Sequence, residues 1–437
     1  MLRGSKAFIT RTLRCRDSFS FCRRKTSTAG SFVSVLNKGR VSVPSLSAEF
    51  PFLWLRDSCQ CASCVHPSTR QKLHKSSDIH PQIKPLRLMD KPDGLQIDWE
   101  PFDGRPEHAS FYPSDFLRRH ASPANLLQFH KEVPAQRWTS KHFANRSGPE
   151  ELSFEYPVLL RDPQALHTAY TDLAKYGLVF IRNMPTERVA DADCELRSFA
   201  QKFGMLRNTF YGETWDVKNI KNSKNIAYTN LDLGLHMDLL YFVEPPRYQI
   251  LHCLRNKVDG GHSLFVDGLN AALELYESSP EEFFCLADTN VAFHYINDGH
   301  HLQCLHPTFV LDGKTGNQSP MSVVRDGKPY KISAINYSPP FQAPLPLDTP
   351  PSFYSALATY SDILNKASNR FTYLLREGEA VIFDNRRVLH GRTSFSDRGD
   401  SLNRDGETSR WLKGCYLEED AVLDKRRVLA GNLLTGA

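Results

Sequence analysis

The stretch AVIFDNRRVLHGR (residues 380–392) reads as two strands joined by a polar turn. An apolar run closes on Asp384 and Asn385, and Val388, Leu389, His390, Gly391 and Arg392 resume as a second strand. His390 gains meaning beside His236-Met237-Asp238, where two metal-ligating side chains stand two residues apart. In extended backbone both leave the same face of a strand. Two histidines and one carboxylate on one side of an octahedral metal leave three positions open, as a non-haem Fe(II) centre needs to bind a bidentate 2-oxo acid and O2.

Alone, a His-x-Asp spacing is weak, because a chain with 16 His shows about one such pair by chance. Its surroundings give it weight. A further strand carries Ser409 and Arg410, whose planar fork suits a dicarboxylate. Arg386, Arg387 and Arg392 compete for that role and are otherwise read as structural ion-pair partners. From about residue 151 the pattern is helix (RDPQALHTAYTDLAKYG), strand (LVFIRNMP), and a helix from Glu187 to Phe203 closed by Gly204. Short apolar or alternating runs follow: QILHCL, HSLFVDG, NVAFHYI, HPTFVLD, YKISAIN, AVIFDN and WLKGCYL, with helices at 269–287 and 351–367. This predicts a mainly β fold with flanking helices, a double-stranded β-helix (jelly-roll) spanning 151–425.

Upstream, VSVPSLS, FLWLRDS, IKPLRLMD and LQIDWE predict a small β-rich domain over 35–120, and 121–150 reads as a connector. Cys59, Cys61 and Cys64 supply three soft ligands on one turn, and a fourth closes a tetrahedral structural Zn(II) site. His108 is the choice for that ligand, with His66, His74 and His80 nearer in sequence. The other seven of the ten cysteines are scattered, which fits a reducing compartment rather than a disulfide scaffold.

No apolar run approaches the roughly 18 residues of a membrane helix, so a soluble protein is expected. Eight of the 54 basic residues but only one of the 49 acidic residues lie in residues 1–30, so the rest of the chain is nearly neutral. That gives no electrostatic reason to expect nucleic acid. The Arg-, Ser- and Thr-rich leader predicts a mitochondrial transit peptide, with a basic tail on a cytoplasmic enzyme as the alternative.

The segments WLRDSCQCASC, YGLVFIRNMP, FYGETW, NIAYTN, HMD, EPPRYQILHCL, GGHSLFVDG, IFDNRRVLHGR and SRWLKGCY together resemble the gamma-butyrobetaine dioxygenase and trimethyllysine dioxygenase family, within the taurine-dioxygenase-like superfamily. The resemblance runs from about Trp54 to Tyr416 and is closest to the gamma-butyrobetaine branch. It implies an Fe(II)- and 2-oxoglutarate-dependent hydroxylase using O2, with ascorbate as reductant, acting as a homodimer on a small quaternary-ammonium substrate. It assigns iron to His236, Asp238 and His390, the 2-oxoglutarate pocket to Arg410, Ser263 and Asn225, and an aromatic cage to Tyr211, Trp215, Tyr228 and Tyr416. It also supports His108 as the fourth zinc ligand. Two departures stand out. SDRGDSLNRDGET (396–408) reads as an inserted polar loop before Arg410, and Ile335, followed by Asn336, falls where the family carries the first of two Asn residues. Trimethyllysine and an alkylsulfonate such as taurine are the alternative substrates.

Overall fold

The computed structural model describes residues 35–37, 39–101, 106–144, 149–218, 228–313, 321–397 and 408–435. The leader at 1–30 lies outside them, as do 398–407 of the inserted polar loop. The chain forms two compact units, divided between Leu126 and Leu127. Among the described residues no helix is long and apolar enough to cross a membrane.

In the first unit, strands Pro85–Lys91, Gly94–Trp99 and His108–Pro113 form an antiparallel sheet in sequence order. Its alternation turns Leu95, Ile97, Trp99 and Tyr112 into a core shared with Val41, Val43 and Phe50. FLWLRDS, expected as a strand, is instead helix Phe52–Asp57. A short apolar run does not distinguish strand from helix by periodicity. Here the helix buries Leu55, whose carbonyl accepts from the Tyr112 hydroxyl at 2.5 Å, and sets Trp54 against Phe50 and Phe116.

The second unit is built on two sheets. One orders Ser153–Glu155, Leu178–Arg182, Ala380–Asp384, Tyr248–Asn256, Arg410–Leu417 and Thr214–Lys218. The other orders Leu233–His236, Val388–Arg392, Ser263–Asp267 and Phe371–Tyr373. Strands distant in sequence are neighbours in both, as the jelly-roll expectation requires. Helix Pro163–Tyr176 packs beside the larger sheet. Its Asp162 side chain caps the Gln164 N–H at 2.8 Å, and Gly177 ends it in the left-handed region at φ 74°.

Three readings change. The helix expected from Glu187 begins only at Glu195, because upstream residues have other partners: Arg188 pairs with Glu195 and Asp191 with Lys413. The helical stretch 269–287 is two helices, Gly268–Ser278 and Pro280–Asp288, broken where Pro280 lacks an N–H. The second unit also begins inside the stretch read as a connector. There Trp138 is buried with Phe143 and Leu152, and Arg137 pairs with Glu277 at 2.6 Å.

Candidate active site

Strand Leu233–His236 runs antiparallel to Val388–Arg392 and sets His236 opposite His390, ring centroids 4.2 Å apart. The expectation that Asp238 shares this strand face is corrected. The strand ends at His236, and the Met237 N–H turns to the Tyr337 carbonyl at 2.9 Å. Leu239 takes φ 61°. The turn is held by Asn385, which is fully buried. Its Oδ1 accepts from the Asp238 N–H at 2.8 Å, and its Nδ2 donates to the carbonyls of Asp238 at 3.1 Å and Pro246 at 3.0 Å. One amide thus ties the Asp238 backbone to the turn that leads into His390.

His236 Nδ1 lies 2.8 Å from the Gly234 carbonyl, which places the proton there and leaves the Nε2 lone pair free. That Nε2 sits 3.4 Å from Asp238 Oδ1, and His390 Nε2 sits 3.9 Å from the same oxygen. Burial, then the nearby His236, pushes the His390 pKa down to about 3, so its imidazole is neutral. Burial alone would raise Asp238. The His236 and His390 rings and the Tyr416 hydroxyl that face its oxygens outweigh it and hold the carboxyl below the usual range. Two imidazoles and a carboxylate, ligand atoms within 4.8 Å of one another, suit a divalent iron ion.

Over His236 and Asp238 opens a cavity lined by Tyr211, Trp215, Tyr228, Tyr241, Phe341 and Tyr416, with aliphatic neighbours. The four aromatic residues expected from the sequence all line it. Tyr241 and Phe341 were missed. Tyr241 follows Asp238 by three residues, but Phe341 lies in the short helix Pro339–Phe341 and carries no local signal. Trp215 lies flat across Gly414, its partner on strand Arg410–Leu417. A Cβ there would sit 2.3 Å from the indole, so only glycine admits the ring. Glu213 and Asp216 do not charge the cavity, since they pair with Arg197 at 2.6 Å and Lys413 at 3.0 Å. Ile335 is buried in the core, and the Asn336 amide donates to the Pro307 carbonyl at 2.7 Å. Neither lines the cavity.

The smaller sheet aligns Leu233, which also lines the cavity, with Arg392 and Ser263. Arg392 is engaged: its Nη2 donates to the carbonyls of Thr229 at 2.7 Å and Leu231 at 2.6 Å. Arg387 is buried against Asp267 at 2.8 Å. Arg410 differs. It is buried, and among the described residues no carboxylate pairs with it. Burial, then the Arg392 charge, lowers its pKa to about 10. Gly260 and Gly261 turn past it at φ 88° and 66°, and a Cβ on Gly261 would come within 3.4 Å of its Nε. A buried guanidinium with this vacancy of charge suits an anionic ligand. Asn225 lies outside the described residues.

In the first unit, His108 Nε2 stands 3.4, 3.7 and 3.5 Å from the Sγ atoms of Cys59, Cys61 and Cys64. Bonds of about 2.3 Å to sulfur and 2.0 Å to nitrogen give a tetrahedral N–S edge of roughly 3.5 Å. His66, His74 and His80 are turned to other partners. Burial, then the Cys59 charge, pushes the Cys64 thiol up to about 12, a cost that a bound cation removes. The Cys3His set therefore fits Zn(II). Metal analysis is expected to find about one zinc per chain surviving a mild chelation that strips iron, because the Cys3His site is closed. Cys61→Ser should lose that zinc; a folded, zinc-loaded Cys61→Ser protein would contradict the assignment.

Comparison with known proteins agrees with these two units. The taurine catabolism dioxygenase TauD, TfdA family matches residues 139–416, and the gamma-butyrobetaine hydroxylase-like N-terminal family matches 44–138. "Dioxygenase str8" of Strobilurus tenacellus is 45% identical, covering 94% of this chain and 91% of that protein. The gamma-butyrobetaine dioxygenase of Homo sapiens is 28% identical over 89% of this chain and 92% of its own length. The mitochondrial trimethyllysine dioxygenase of Mus musculus is 30% identical over 87% and 82%.

Proposed function

Because the chain belongs to the taurine catabolism dioxygenase TauD, TfdA family, an Fe(II)- and 2-oxoglutarate-dependent group of enzymes, we propose that it hydroxylates a small quaternary-ammonium substrate, with gamma-butyrobetaine as the first candidate and L-carnitine as its product. The observation that carries this reading is the aromatic cavity opening directly on the metal triad. A trimethylammonium group has no N–H to donate, and proteins hold it by packing aromatic faces around its methyls. Trp215 and Tyr416, ring centroids 5.3 Å apart, with Tyr211 and Tyr228, form such walls, while Asp238 adds negative charge at the floor.

In this reading His236, Asp238 and His390 hold the iron on one face. Arg410 receives the distal carboxylate of 2-oxoglutarate in its fork, with Ser263 on the neighbouring row. Bound iron, with 2-oxoglutarate and O2, supplies the oxidising chemistry that converts an unactivated C–H to C–OH and leaves succinate and CO2. The protein's part is orientation and dryness. The aromatic walls exclude water, and the cage fixes which carbon faces the metal.

Succinate release should be measured with Fe(II), 2-oxoglutarate and, in turn, gamma-butyrobetaine, trimethyllysine and taurine. Coupled turnover is expected with a quaternary-ammonium substrate, and preference for taurine would refute the reading. Trp215→Leu keeps bulk but removes the ring quadrupole, and should cost about 1–2 kcal/mol, roughly five- to thirty-fold in kcat/KM. A tert-butyl isostere without the charge should bind wild type worse yet be discriminated poorly by Trp215→Leu. Equal charged-to-neutral ratios in the two proteins would mean the cage reads no cation.

A further inference from the structure

Tyr416 lines the cavity with its ring and donates its hydroxyl to Asp238 Oδ2 at 2.8 Å. The other carboxylate oxygen, Oδ1, is the one that faces both imidazoles, at 3.4 Å from His236 and 3.9 Å from His390. The carboxylate is therefore asymmetric: one oxygen is turned to the ligand cluster and the other is held by a phenol. Tyr416 is 3% exposed and its strand neighbours are buried. A phenol donating to a carboxylate in such a site makes a strong, short hydrogen bond. It fixes the rotation of the carboxyl plane about the Cβ–Cγ bond.

We propose that Tyr416 is a positioning residue that keeps Asp238 a one-oxygen ligand, and that it links this geometry to the substrate pocket. A carboxylate free to rotate would bring Oδ2 onto the metal as well. It would then occupy one of the three positions that the cosubstrate and O2 require. The Asn385 clamp fixes where the Asp238 backbone stands, and Tyr416 fixes how its side chain is turned, so the two constraints act on different degrees of freedom. Because the Tyr416 ring packs against Trp215, a ligand filling the cavity bears on the same side chain that steers the carboxylate. The inference about the metal rests only on the triad; the link to substrate rests on the cage reading above.

The test is Tyr416→Phe, which keeps the ring and deletes the hydroxyl. Protein stripped of iron but retaining its zinc is titrated with Co(II) alone, whose visible absorption reports coordination number. Tyr416→Phe is expected to bind Co(II) about 10- to 100-fold more weakly, as for loss of other groups that orient a metal ligand, and to change the visible band as the second carboxylate oxygen displaces another ligand. In turnover, Tyr416→Phe should release more succinate per hydroxylated product, with the substrate KM less affected than kcat. Wild-type affinity and spectrum in a folded, zinc-loaded Tyr416→Phe protein would overturn the proposal. The titration uses no substrate, so a wrong substrate assignment leaves this result standing. Should Tyr416→Phe fail to fold, Co(II) spectra of wild type with and without gamma-butyrobetaine decide the link: an unchanged band on binding overturns it.

Discussion

Asp238→Ala protein is expected to release no succinate from 2-oxoglutarate with any substrate while keeping its full complement of zinc. The carboxylate is the only anionic member of the triad, so its removal leaves two neutral imidazoles facing each other at a centroid distance of 4.2 Å. Imidazole ligands alone do not balance the charge of a divalent cation in a largely buried site. It also leaves the Tyr416 hydroxyl buried without its acceptor, which costs about 1–3 kcal/mol of stability, a modest loss for a protein of this size. The fall in turnover should exceed about 10³-fold, equivalent to more than about 4 kcal/mol of lost transition-state stabilisation. His236→Ala should behave alike. Zinc content is the internal control, because the Cys3His set belongs to the other unit. Normal succinate formation in either variant would dispose of the iron assignment.

The sequence exposed these ligands through chemistry and missed what aims them. His236, Asp238 and His390 stand out as residue types in a β context, and the smaller sheet brings the two histidines opposite each other. The strand picture failed at Asp238, since convergence depends on a left-handed Leu239 and on the Asn385 amide, 147 residues away in sequence. Short polar side chains that clamp a distant backbone leave no periodic trace. The cage divides the same way. Tyr211, Trp215, Tyr228 and Tyr416 were recognised within matching segments, whereas Phe341 reaches the cavity from a short helix that only the tertiary fold places there. Gly414 was read simply as part of a strand, although its missing Cβ is what lets Trp215 lie across it. FLWLRDS shows the limit for local structure: its apolar run suits a strand or a helix, and the Leu55 and Trp54 contacts decide between them.

Arg410→Lys is expected to raise the KM for 2-oxoglutarate about 10- to 150-fold while leaving substrate affinity nearly unchanged, and Arg392→Lys is not. Both guanidiniums lie over the Phe395 ring, at 4.9 Å for Arg392 and 5.4 Å for Arg410, so neither sequence position nor proximity separates them. Their partners do. Arg392 donates to the carbonyls of Thr229 and Leu231, and a lysine there loses contacts that hold a loop. Arg410 is buried beside a like charge, and no carboxylate among the described residues offsets it. A buried cation held in this way is costly alone and strongly favourable once an anion arrives. Lysine keeps the charge but replaces a planar fork with a single ammonium, losing one charge-assisted hydrogen bond worth about 1.5–3 kcal/mol. That energy is the origin of the expected change in KM. The charge that remains should let high 2-oxoglutarate restore most of kcat, whereas Arg410→Met, lacking it, should not be rescued at any practical concentration. Steady-state kinetics on the three variants at saturating substrate makes the comparison. If Arg392→Lys shows the raised KM and Arg410→Lys does not, the cosubstrate carboxylate sits at Arg392, and the vacancy of charge at Arg410 needs another anion.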